Sequence, residues 1–207
     1  MKKLTSSLGL VALLALILSN QVKADIIVDT GTPNQLDSAI MLSNGQWLAA
    51  EFTTTQAWQI TSLKGFITAD TSNPDNATYT VALYDNNAIK NRPDTTSELF
   101  AQQATFGIDG WNGLQGLNVA LNAGTYWLAF EVRADDTLQG LMPVFAPNAL
   151  QTASNDATGN AGYLPTTGAN YNFGVQISAV PVPPSLFLFA SGLLAMGGRR
   201  LVKRQSI

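Results

Sequence analysis

The strictest constraint on the fold is the run Thr125-Tyr126-Trp127-Leu128-Ala129-Phe130-Glu131-Val132-Arg133. Side chains alternate across an extended strand, so Tyr126, Leu128, Phe130 and Val132 share one face, and Trp127, Ala129, Glu131 and Arg133 share the other. A helix would scatter the first set around its circumference. The same period recurs in Tyr79 to Tyr84, where Tyr79, Val81 and Leu83 point inward and Asp85-Asn86-Asn87 closes the strand as a turn. In Trp47 to Thr53, Leu48, Ala50 and Phe52 stand opposite Trp47, Ala49 and Glu51. Further candidate strands are Ile26 to Val28, Trp58 to Thr68, Glu98 to Phe106, Gln115 to Leu121, Leu141 to Phe145 and Tyr171 to Ser178. Loops rich in Gly, Asn, Asp and Pro separate them, the longest being Pro147 to Asn170. Short strands without an amphipathic helix predict an all-β chain, an antiparallel β-sandwich of jelly-roll type over residues 25–179.

The chain has neither His nor Cys. Ser-His-Asp hydrolysis, thiol proteases, thiolate or imidazole zinc sites and disulfides are therefore excluded. Catalysis would have to come from carboxylates, hydroxyls, lysines and aromatic rings.

Hydrophobicity concentrates at the two ends. Lys2 and Lys3 precede an apolar run from Leu8 to Leu18, and Val22-Lys23-Ala24 precedes Asp25. This is the pattern of a Sec signal peptide, residues 1–24, cut between Ala24 and Asp25. Eleven apolar residues fall short of the roughly 20 that a spanning helix needs. Near the other end, Leu186 to Gly198 is apolar and is followed by Arg199, Arg200, Lys203 and Arg204. An apolar helix closed by basic residues is a stop-transfer arrangement that leaves its basic end in the cytoplasm. Thirteen residues rise only about 20 Å, so the single hydrophobic helix is short for an anchor unless the flanks from Pro181 onward are drawn in.

The tail, residues 180–207, joins Val180-Pro181-Val182-Pro183-Pro184 to Leu188-Phe189, Ser191-Gly192-Leu193-Leu194 and Gly197-Gly198-Arg199-Arg200. It resembles the PEP-CTERM type of sorting signal, closest to the variant that begins VPLPA. Val182 stands where Glu is usual, and Pro184 where a small residue is usual. The resemblance implies recognition by an exosortase, a membrane protease that removes such tails near the proline motif. It also implies a brief inner-membrane stage before release to the cell surface or matrix. The strand rhythm from Trp47 to Val132 is similar to that of the extracellular choice-of-anchor sandwich modules, from which no catalytic residue carries over.

Between Asp25 and Pro184 lie all 14 acidic residues and only four basic ones, Lys64, Lys90, Arg92 and Arg133, a net charge of −10. Such a body repels nucleic acid, which is discarded as a partner, and anionic membrane surfaces. Glu51 and Glu131 are the only mid-strand acids and each stands beside a tryptophan, Trp47 or Trp127, on its own face. On neighbouring strands they would form a candidate glycosidase pair; solvation of an outer sheet face is the plainer alternative. Trp47, Trp127 and Tyr84 are expected on outward faces, and Trp111 in a glycine-bounded loop. For Trp47 and Trp127 packing under a loop is the favoured fate and stacking on sugar rings the alternative, while for Trp111 the two stand level. Asp70 and Asp75, with Asn73 and Asn76, fall in one loop, and Asp135-Asp136 in another. Either would suit calcium with backbone carbonyls, although acid-rich turns are commonly metal-free and no other cofactor is indicated. The favoured expectation is a non-enzymatic exported surface or matrix protein acting by adhesion or polysaccharide association. The alternative is a small secreted carbohydrate-active enzyme using Glu51 and Glu131.

Overall fold

The computed structural model describes residues 23–69, 73–155, 162–166 and 171–182. These residues form β1 (Asp25–Asp29), β2 (Gln35–Leu42), β3 (Trp47–Thr54), β4 (Trp58–Ala69), β5 (Thr78–Asn87) and β6 (Arg92–Thr105). They continue with β7 (Gly110–Leu121), β8 (Gly124–Glu131), β9 (Gly140–Val144), β10 (Thr152–Asn155), β11 (Tyr163–Thr166) and β12 (Val175–Pro181). The chain is all-β. One six-stranded sheet runs β1-β12-β4-β9-β2, with β7 also paired to β4; the other runs β11-β10-β3-β8-β5-β6. Every strand pair is antiparallel. From β2 to β9 each step along the chain crosses from one sheet to the other except β5 to β6, which are paired neighbours: β2, β4, β7 and β9 lie in the first sheet and β3, β5, β6 and β8 in the second.

The main core lies between the sheets. Leu48 and Phe52 of β3, Tyr79, Val81 and Leu83 of β5, and Leu128 and Phe130 of β8 meet Ile60, Leu63 and Ile67 of β4 and Val175 and Ile177 of β12. For β3, β5 and β8 this is the inward set that the alternation predicts. The change of phase from Ile60 to Leu63 has a cause: pairing to both β7 and β12 skips Thr61, whose hydroxyl donates to the Ser178 carbonyl at 3.1 Å. One bulged residue turns the rest of β4 over and returns Leu63 and Ile67 to the core. Between them Gly65 leaves room for a ring, since a Cβ there would lie 2.7 Å from Cζ of Phe130.

Three strands lie beyond the sequence expectations. β2 escapes the alternation rule because its pairing with β9 passes from Gln35↔Val144 to Ala39↔Pro143, leaving three residues unpaired in between. β10 and β11 form a hairpin inside the stretch from Pro147 to Asn170 that reads as one long loop. The sandwich also runs past the expected boundary at Ala179. Val180 pairs with Gln59, Pro181 with Trp58, and the Val182 N–H donates to the Ala57 carbonyl at 3.2 Å. Past Ala179, the last residue paired with β1, β12 has a partner on one side only, where a proline is tolerated. Val180, Pro181 and Val182, the first three residues of the proline-rich stretch, are thus held by the domain. Pro183, Pro184, the apolar segment from Leu186 and Arg199, Arg200, Lys203 and Arg204 lie outside the described residues, as does the expected signal peptide up to residue 22.

Two outcomes follow. Gly65→Ala is expected to destabilise the protein by about 1–3 kcal/mol through overpacking against Phe130 and Met142, read as a lower melting temperature. A chain ending at Ala179 should melt below one ending at Val182, because it loses the pairs to Trp58 and Gln59; equal melting temperatures would show that these pairs contribute nothing.

Candidate functional site

The central strands of the second sheet, β3, β8 and β5, are largely buried on both faces. On the face turned away from the main core, the sheet's register sets five alanines side by side across five strands: Ala153, Ala49, Ala129, Ala82 and Ala101. This low row lets larger side chains from either side lean over it. Tyr163 of β11 does so, with its ring centroid 6.1 Å from that of Tyr84 and 6.4 Å from that of Trp47. The edge strands meet as well, the Arg92 guanidinium of β6 donating to the Tyr163 carbonyl of β11 at 2.8 Å. The sheet is rolled around a second, smaller core of Ala49, Ala82, Tyr84, Trp127, Ala129, Ala153 and Tyr163.

At the centre of that roll stands Glu131, 0% exposed. Its Oε1 accepts from the Tyr163 hydroxyl at 2.6 Å and the Tyr84 hydroxyl at 2.9 Å, and its Oε2 accepts from Nε of Arg133 at 2.6 Å. Arg133 extends outward to Glu98 and also donates to the Tyr84 oxygen at 3.0 Å. A buried carboxylate persists only when its oxygens are paired in this way. Burial and the neighbouring Glu131 charge push the Tyr84 and Tyr163 hydroxyls well above the ordinary phenol range, so both remain protonated donors. For Arg133, burial works against the charge and is outweighed by Glu131 and Glu98.

This corrects the outward assignments. Trp127, placed on the outward face with burial under a loop as the favoured fate, is 0% exposed, and its Nε1 donates to Oδ1 of Asn86 at 2.9 Å. Tyr84 is buried too, and Glu131 does not solvate an outer face. The physical reason is the β10–β11 hairpin, which covers a face that no alternation rule can distinguish from an open one. Trp47 is half-buried against Tyr163, its Nε1 donating to the Val132 carbonyl at 2.9 Å. Trp111 belongs to β7 rather than a loop; it is half-buried, with its ring edge-on to Phe66 at 5.5 Å.

The two mid-strand acids do lie on adjacent strands, but in a register that holds them apart. Glu51 stands opposite Trp127, four residues along β8 from Glu131, an offset of about 13 Å along the strand. Hydrolytic carboxylate pairs stand about 5–10 Å apart. Glu51 has its own peculiarity: Oε2 is buried without a hydrogen-bond partner, and desolvation raises its carboxyl above the usual range. Of the calcium candidates, Asp70 lies outside the described residues and Asp75 is exposed in a turn. No group of three acids that could hold a metal ion occurs among the described residues. Asp136 serves as a staple: Oδ2 accepts from the Thr80 hydroxyl at 2.8 Å and the Arg133 N–H at 2.9 Å, and Oδ1 from Gln103 at 2.9 Å.

Among the described residues a groove of about 580 Å³ opens at one end of the sandwich. Met41, Ser43, Asn44, Pro74, Asp136 and Leu138 form much of its wall, at the end of the sandwich where the β2–β3 turn meets the segments after β4 and β8. None of the residues singled out from the sequence for catalysis or stacking lines it. No spacing motif marks it, because its walls come from three separated segments. The chain matches no protein-family model and no curated protein.

Two measurements test the buried cluster. Glu131→Ala should cost about 3–5 kcal/mol by stranding Arg133 and two tyrosine hydroxyls, whereas Tyr163→Phe should cost only about 1–2 kcal/mol. Glu51 carries the opposite sign. A carboxyl whose folded pKa is raised loses stability as pH climbs from its unfolded value through its folded one. Glu51→Gln should therefore raise the melting temperature at pH 7 and lose that advantage near pH 4.

Proposed function

We propose that the chain is a non-enzymatic, exported cell-surface or matrix protein of jelly-roll type, sorted through its C-terminal tail by an exosortase and acting by adhesion or polysaccharide association. The observation that carries this reading is the continuity of β12 with the sorting motif: the last strand ends at Pro181, so a processed tail would leave directly from the sandwich without an intervening linker. The crossing between sheets at every step from β2 to β9 except β5 to β6, with strand orders β2-β9-β4-β7 and β3-β8-β5-β6, supports the jelly-roll assignment, an architecture shared by lectin and capsid domains. The net charge of −10 between Asp25 and Pro184 supports residence away from anionic lipid and nucleic acid. The enzyme alternative draws no support from Glu51 and Glu131, since the oxygens of Glu131 are committed to Tyr84, Tyr163 and Arg133.

Mass spectrometry of surface or secreted material tests the sorting step. The expected product begins at Asp25 and ends after Val182 but before Leu186; material still ending at Ile207 would overturn the reading. Changing Pro183 and Pro184 to Ala should leave uncut protein in the membrane fraction without disturbing the fold, since both lie beyond the last paired residue of β12.

A further inference from the structure

The two ends of the sandwich differ in kind. Asp25 pairs with Ala179, so the start of β1 and the end of β12 lie side by side, and the leader and the tail depart from the same end of the same sheet. That end also holds Trp58, the first residue of β4. β4 then runs for 12 residues, roughly 35 Å, to Ala69 beside Gly140, where the groove opens. Whatever attaches this domain to a membrane through either terminus, the groove is at the far end.

The groove is firmly built. Asp136 is held by Thr80, Gln103 and the Arg133 N–H. Nδ2 of Asn73 donates to the Gln139 carbonyl and the Gln139 N–H donates back to Oδ1 of Asn73, both at 2.6 Å, which fixes the segment carrying Pro74. The β2–β3 turn is closed by reciprocal bonds between Ser43 and Gln46, with Gly45 at φ +86° taking the conformation that a side chain disfavours. Walls fixed before a ligand arrives spare it the entropy of ordering them.

The lining specifies the ligand class. Met41, 53% exposed, Pro74 and the buried Leu138 give an apolar surface. Beside them, the Ser43 hydroxyl and the Asn44 amide make no hydrogen bond within the described residues, and the Asp136 carboxylate is an oriented acceptor. No Lys or Arg lines the groove. An anion would meet a carboxylate with no cation to balance it, inside a body of net charge −10. A neutral sugar meets what it needs: one hydroxyl can donate to the remaining lone pair of Asp136 Oδ1, others exchange bonds with Asn44 and Ser43, and C–H faces pack on Met41 and Pro74.

We propose that this groove is a binding site for a neutral saccharide, of monosaccharide to disaccharide size, presented at the end of the domain opposite its tail. The proposal rests on the polysaccharide reading above and narrows it to one surface and one charge class. The test is a nuclear magnetic resonance titration of the full chain in lauryldimethylamine oxide micelles, a detergent without a sugar. Maltose, cellobiose, lactose and chitobiose serve as neutral probes and glucuronic acid as the charged one, each to about 50 mM, where even a weak millimolar site is filled. The expected result is amide shifts confined to residues 41–44, 74 and 132–139 with at least one neutral disaccharide. Affinity should fall roughly tenfold in Ser43→Ala with Asn44→Ala, and binding should vanish in Asn44→Trp, each with an unchanged melting temperature. Neutral-sugar shifts elsewhere, insensitive to these variants, would overturn the groove and leave the polysaccharide reading standing. Silence with every probe would overturn both, and equal binding of glucuronic acid would overturn the charge argument.

Discussion

A carboxylate cut off from water dictates the construction of half this molecule. Glu131 stands on a strand whose two faces are both covered, and its charge is affordable there only because three donors converge on it. Two of them, Tyr84 and Tyr163, come from opposite sides of it in the sheet, one strand away on β5 and three strands away on β11, so satisfying Glu131 requires the sheet to curl until β11 approaches β5 and β6. The curl in turn demands small residues where the sheet closes, and the row of five alanines supplies them. Charge pairing, curvature and composition are thus one solution rather than three.

The inward face was legible because alternation is a direct image of strand geometry: Tyr126, Leu128, Phe130 and Val132 read off the sequence as they pack. The opposite face was not, for a reason that also lies in alternation. A period of two says that two faces differ and is silent on whether the second is wet. Trp127 and Glu131 look alike on a solvated face and in a second core; only the partner of that face, the short β10–β11 hairpin, separates the cases. That hairpin is hard to see because four-residue strands carry barely two alternations each, and Pro165 interrupts one of them. Ala153 and Ala49 carry a trace of the answer, since small residues at matching phase in several strands signal close packing over that row.

The groove was illegible for a different reason. Its walls are assembled from a turn, a loop following β4 and a loop following β8, and none has a local motif. What the sequence held was indirect: polar residues near Asn44, Asn73 and Asp136 read as ordinary turn chemistry, and most of them are that. Asn73 and Asp136 spend their side chains tying loops to the sheet, and the shape left between those ties is the feature of interest.

The position of β12 also sets how the domain answers to mechanical pull. Tension applied at the C-terminus runs along the axis of a strand that is hydrogen-bonded to β4 throughout and to β1 over part of its length. Such a load shears the ladder, so that many bonds must yield together, instead of peeling them one at a time as it would at a hairpin end. With β12 built into the interior of its sheet, a tether at that terminus would resist flow and drag with most of the sandwich behind it.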